Sequence, residues 1–137
     1  MAMIDMQMMR YLNLLNKVSH VRTNKCFIYN NTIIFAVSEE MMSRAIGIGG
    51  KNVRILENTF ERKVKIIREN EGMYDAERFV RDIVEPIPFK SAEIKDNFFI
   101  LNAGSKSKAV LIGRNKKRFL ELEQIIKDVF GKELRII

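Results

Sequence analysis

The chain has 137 residues, enough for one ordinary domain or two small ones, and 47% of them are hydrophobic, which excludes wholesale disorder. Lys and Arg outnumber Asp and Glu by 24 to 17, a net charge of +7 that favours an anionic partner. A single cysteine excludes an intramolecular disulfide, and no uninterrupted apolar stretch approaches the roughly 20 residues of a membrane span.

In chain order, Ile4, Met8, Leu12, Leu15 and Val18 recur at helical spacing and predict an amphipathic helix from Ile4 to about His20. Arg10 and Lys17 give it too thin a basic face for a membrane-surface role. Lys25 to Tyr29 reads as a strand, Asn30-Asn31 as a tight turn, and Thr32 to Val37 as the returning strand. Ser38-Glu39-Glu40 carries the cap and first-turn acids of a short helix. That helix runs into a glycine-rich stretch, beyond which Val53, Leu56 and Phe60 restore the helical period. Lys63-Val64-Lys65-Ile66 alternates as a half-buried strand does. The order is α-β-β-α-α-β.

Glu69 to Met73 is polar and aperiodic, a candidate linker, and the same order then recurs. Asp75 to Val84 reads as a helix, Ile87-Pro88-Phe89 as the start of a strand, Asp96-Asn97 as a turn and Phe98 to Leu101 as the returning strand. Ser105 to Leu111 reads as a helix. Phe119, Leu122, Ile126 and Val129 mark a longer one closed by Gly131, and Leu134 and Ile136 a final strand.

The segment Ala45-Ile46-Gly47-Ile48-Gly49-Gly50-Lys51-Asn52-Val53 carries the chemistry. Glycine permits positive φ and close approach by another molecule's backbone, and a helix start offers unpaired N–H groups to phosphate. A P-loop fails here, because its first glycine position is Ala45 and its Ser/Thr position is Asn52. The dinucleotide fingerprint fails too, since its third glycine falls on Asn52. What remains is I-G-x-x-G-x-x-V, the arrangement of a GXXG loop that clamps the backbone of about four single-stranded nucleotides. Superposing Gly113 on Gly47, an offset of 66, also lays Phe99-Ile100-Leu101 on Ile33-Ile34-Phe35. The chain is an internal repeat.

On these residues the chain resembles the archaeal NusA-like transcription factors. The first repeat matches through Ala45 to Arg54 and the closing Lys63 to Ile66. The second matches through Lys108 to Gly113, the long helix, and Val129 to Ile136. The resemblance covers essentially the whole chain. It implies an α+β fold of two tandem type II KH domains, residues 1–71 and 72–137, each α-β-β-α-α-β with a three-stranded mixed sheet. It also implies RNA binding coupled to transcription elongation or termination, with RNA polymerase as a further partner. The polymerase-binding and S1 domains of bacterial relatives have no room in 137 residues, so any polymerase contact is expected from the KH surfaces.

The two loops differ. In the first, Gly47, Ile48, Gly49 and Gly50 carry no charge, so Arg44, Lys51 and Arg54, with Asn52 beside them, are expected to meet phosphates. The second reads Gly113-Arg114-Asn115-Lys116, with lysine in place of the last glycine. A Cβ there limits close approach, but Lys106, Lys108, Arg114, Lys116, Lys117 and Arg118 put six cations in thirteen residues with no acid among them. The second loop is therefore expected to trade clamp geometry for electrostatic attraction.

Competing readings set limits. A glycine loop can be a plain helix–turn–helix corner, a charge run a solvated face, and Arg44 or Arg54 could pair with Glu40 or Glu57. Phe35, Phe60, Phe99 and Phe119 sit at core phases. Ile46, Val53, Val64 and Ile66 suit an aliphatic groove floor but must also serve the core. Cys26 reads as a buried thiol and His20 as a cap or surface residue. No nucleophile–base pair, metal cluster or tuned carboxylate pair is visible, so neither enzyme activity nor a cofactor, metal or small-molecule substrate is expected. The N-terminal residues lack a secretion-signal pattern, and a cytoplasmic protein is expected. The rival functions are a KH protein of RNA processing or the ribosome, and a basic adaptor that binds a protein such as the polymerase.

Overall fold

The computed structural model describes residues 5–137. It is mixed α+β, with six helices and two three-stranded mixed sheets among those residues, consistent with tandem KH-like domains. The chain divides into two compact units, one ending at Glu69 and the other running from Asn70 to Ile137.

The first unit comprises α1 (Met6–Ser19), β1 (Cys26–Tyr29), β2 (Thr32–Val37), α2 (Met42–Ile46), α3 (Lys51–Phe60) and β3 (Lys63–Arg68). Asp5 starts α1 by accepting the Met8 N–H at 2.8 Å, one of the donors that a helix start leaves unpaired. The helix closes at His20, exposed and left-handed at φ 60°, whose N–H reaches the Asn16 carbonyl. Ile4, placed in this helix from its spacing, lies outside the described residues. Asn30 and Asn31 both take positive φ, the backbone that a two-residue hairpin needs between β1 and β2.

β2 is the central strand, antiparallel to β1 with Phe35 opposite Cys26 and parallel to β3 with Phe35 opposite Ile66. Parallel neighbours need a crossover connection, and here it is α2, the glycine loop and α3. The loop is thus held at both ends by helices. Leu56 of α3, Ala45 of α2, and Tyr11 and Leu15 of α1 bury themselves against Ile33, Phe35 and Val64 of the sheet. Cys26 lies in the same core, where burial, followed by the Asp5 charge, pushes its thiol up to about 12. It stays protonated and packs as a small apolar group.

The second unit repeats the order with α4 (Ala76–Val84), β4 (Ser91–Lys95), β5 (Phe98–Asn102), α5 (Ser105–Ile112), α6 (Lys117–Phe130) and β6 (Glu133–Ile136). β5 pairs antiparallel with β4 and parallel with β6, with Phe99 opposite Ile94 and Leu134 respectively. Phe79, Phe99, Leu101, Leu111, Leu122 and Ile126 are fully buried. At 14 residues α6 exceeds the 10-residue α3 by about one turn, which is where the two repeats fall out of register.

Two local expectations fail. Ser38 makes no capping hydrogen bond; a 3-10 turn over Glu39–Met41 leads into α2 instead. Ile87-Pro88-Phe89 is not a strand, because Pro86 and Pro88 have no N–H to give a ladder, and β4 begins only at Ser91. Phe89 is buried there all the same, with the Arg81 guanidinium 4.2 Å from its ring centre and donating to its carbonyl at 3.2 Å. No helix among the described residues is long and apolar enough to cross a membrane.

Candidate nucleic-acid interface

Each loop joins two helices by the same backbone path. Gly47 has φ 80° and ψ 163°, and Gly113 has φ 76° and ψ 173°. The next position of positive φ is Gly49 (φ 61°, ψ 22°) in the first loop and Asn115 (φ 55°, ψ 29°) in the second. The last is Gly50 (φ 77°, ψ 20°) against Lys116 (φ 60°, ψ 23°). The second loop therefore keeps its backbone geometry despite losing two glycines. What distinguishes the second loop is the side chains of Asn115 and Lys116, which add bulk and charge on an unchanged backbone path.

Backbone energetics explain which glycine is retained. Positive φ with ψ near 165° is open essentially to glycine only, so Gly47 and Gly113 have no substitute. The left-handed region is accessible to asparagine and, at a cost of about 1 kcal/mol, to other residues. Asn115 and Lys116 occupy that region.

The hydrogen bonds repeat as well. The Gly47 N–H meets the Ser43 carbonyl at 2.9 Å, and the Gly113 N–H meets that of Ala109 at the same distance. Gly50 N–H to Gly47 carbonyl is 3.0 Å, and Lys116 N–H to Gly113 carbonyl is 3.2 Å. A side-chain tie then crosses each loop. Asn52 Nδ2 donates to the Arg44 carbonyl at 3.0 Å, and Arg118 Nη1 donates to the Val110 carbonyl at 3.0 Å. These ties connect the helix after each loop to the helix before it, and they crowd the first glycine. A Cβ on Gly47 would lie 2.9 Å from Asn52 Cγ, and one on Gly113 would lie 3.1 Å from the Arg118 backbone nitrogen. Asn52 and Arg118 thus position the loops, a role that spacing alone does not reveal.

A direct consequence is that Gly113→Ala costs about 1–3 kcal/mol, whereas Lys116→Gly leaves stability unchanged or raises it by up to about 1 kcal/mol. Urea unfolding of the two variants measures both. Equal destabilisation by the two would contradict this account of the loop.

Arg44, Lys51 and Arg54 are exposed around the first loop, and Lys106, Lys108, Arg114, Lys116 and Lys117 around the second. Arg54 Nη1 donates to the Gly49 carbonyl, so its guanidinium folds over the loop. Arg118, half-buried, is engaged with Val110. Ile46, Val53 and Ile66 are half-buried and Val64 is buried; the last three pack with the core. Among the described residues no group of His, Cys, Asp and Glu is arranged to hold a metal.

No family model matches the chain. It is 28% identical over 115 residues to the probable transcription termination protein NusA of Methanocaldococcus jannaschii, an alignment covering 81% of the chain. The chain spans 61% of the length of that relative. The crystal structure of APE1850 superposes with a TM-score of 0.68 at 21% identity, covering 98% of this chain and all of that one. That likeness establishes the fold; the sequence match supports a distant NusA-like relationship.

Proposed function

We propose that the two units are type II KH domains and that their loops clamp single-stranded RNA, in a protein that acts in transcription elongation or termination as a NusA-like factor. The observation that carries this is the doubled loop: two glycine-initiated turns with matching dihedrals and hydrogen bonds, each ringed by exposed cations. A helix–turn–helix corner built only for packing has no need for eight exposed Lys and Arg side chains around two equivalent turns. The KH assignment draws on the α-β-β-α-α-β order and the mixed sheet with its central strand parallel to the last. The transcriptional role draws on the distant NusA relative, and RNA polymerase is the protein partner it suggests. The activity is binding rather than catalysis.

Backbone N–H groups at the loop and the start of the following helix would receive phosphate oxygens, with lysine and arginine supplying the longer-range attraction. Ultraviolet crosslinking to a single-stranded oligoribonucleotide, followed by peptide mapping, tests the clamp. Adducts are expected within 44–54 and 106–118, and their absence from both stretches would overturn it. Co-purification with RNA polymerase rather than ribosomes tests the transcriptional role.

Replacing Arg114, Lys116 and Lys117 by glutamine, with Arg118 kept as the tie, is expected to lower the slope of log affinity against log salt by about 2, at roughly 0.7 per single-strand phosphate contact. An affinity titration over a salt series reads this. A slope equal to that of the unmodified protein removes these three residues from the interface.

A further inference from the structure

The two loops share a backbone but invert their side-chain chemistry. At the tip, Ile48 of the first loop corresponds to Arg114 of the second, and Ile48 is 96% exposed. On the flanks the exchange runs the other way. Arg44 and Arg54 correspond to Val110 and Leu120, and all four are exposed. The first loop therefore has an apolar tip flanked by arginines, and the second a cationic tip with Val110 and Leu120 exposed where the first has those arginines.

An isoleucine almost wholly in water gains nothing within the unit, and the glycines beside it leave its side chain unshielded. Arg44, Lys51 and Arg54 are exposed within about six residues of it along the chain, and Arg54 bonds the adjacent Gly49 carbonyl, so a strand drawn in by these charges brings its bases past Ile48. An aliphatic side chain can lie flat on a base whatever its identity, because every base has an apolar face. Arg114 offers the opposite chemistry, a fork of donors suited to phosphate.

We propose that Ile48 is a base-contacting residue: on loops whose backbones both receive phosphates, the tip side chain of the first meets a nucleobase while that of the second, Arg114, meets the RNA backbone. This rests on the RNA-binding reading above. It differs from a backbone clamp at both loops in what each tip touches.

The test compares Ile48→Ala and Arg114→Gln on two probes: a single-stranded oligouridine of about ten nucleotides, long enough for a four-nucleotide clamp, and an oligomer of equal length bearing stable abasic residues. Affinities are measured at low salt, where binding to the bare backbone is detectable, and circular dichroism checks the fold. Ile48→Ala is expected to lose roughly five- to tenfold on oligouridine, the scale of removing about half of a buried isoleucine side chain. It should lose nothing on the abasic oligomer, and its salt slope should stay that of the unmodified protein. Arg114→Gln should lose affinity equally on both probes, with a shallower slope. An equal Ile48→Ala loss on the two probes overturns the proposal. So does no loss on either, which would leave Ile48 free for a protein surface. If the unmodified protein binds neither probe, the RNA-binding reading itself fails, a result distinct from any variant-specific outcome.

Discussion

Substituting Ile48→Asp together with Gly49→Asp is expected to weaken single-stranded RNA binding by about 30-fold or more while leaving the fold intact. Two carboxylates some 4 Å from passing phosphates each cost about 1 kcal/mol even at the dielectric of water, and more where the loop excludes solvent. The fold tolerates the change because the backbone already suits it. Gly49 sits in the left-handed region, where aspartate is among the better-accommodated residues, and a Cβ there meets nothing within 4 Å. Ile48 makes no contribution to the core at 96% exposure. Fluorescence titration alongside circular dichroism measures both effects. Unchanged affinity with native structure would remove this loop from the binding surface.

The largest stability effect is expected at Phe99. It is fully buried on β5, the central strand of its sheet, flanked by Ile94 and Leu134 on neighbouring strands, with its ring 5.6 Å from that of Phe130. Phe130 in turn meets Phe79 of α4 at 6.1 Å, edge on. Phe99 thus belongs to an aromatic chain linking α4 and α6 to the sheet of the unit. Phe99→Ala removes the ring and leaves a cavity, a loss of about 3–5 kcal/mol. Against a total of about 5–15 kcal/mol for an ordinary domain, that consumes much of the margin. Urea unfolding followed by circular dichroism should show the transition at clearly lower denaturant. A loss under about 1 kcal/mol would mean that the site collapses around the deletion.

Where side-chain period and turn chemistry agreed, the elements were legible. β2, from Thr32 to Val37, has the bounds that its apolar run predicts, and Gly131 closes α6 at φ 66°. The misreadings fall where local chemistry had a competitor. Ser38 looked like a cap, but the chain enters α2 through a 3-10 turn that pairs the Met41 N–H with the Ser38 carbonyl instead. Ile87-Pro88-Phe89 reads as the start of a strand, yet Phe89 is buried without joining one. It is held by Arg81, eight residues earlier, an interaction with no periodic trace in the sequence.

The glycine loops divide along the same line. Spacing alone excluded two nucleotide motifs, located both turns and paired them at an offset of 66, because these depend on order along the chain. The sequence also showed that one loop is neutral and the other cationic. It could not show that Asn115 and Lys116 follow the path of Gly49 and Gly50, since the left-handed region admits them at a cost that only the surrounding helices can impose. Nor could it show that Asn52 and Arg118, so different in chemistry, tie their loops to equivalent carbonyls. Those facts arise from two helices converging on one turn, and tertiary packing decides which donor lies within reach of which acceptor.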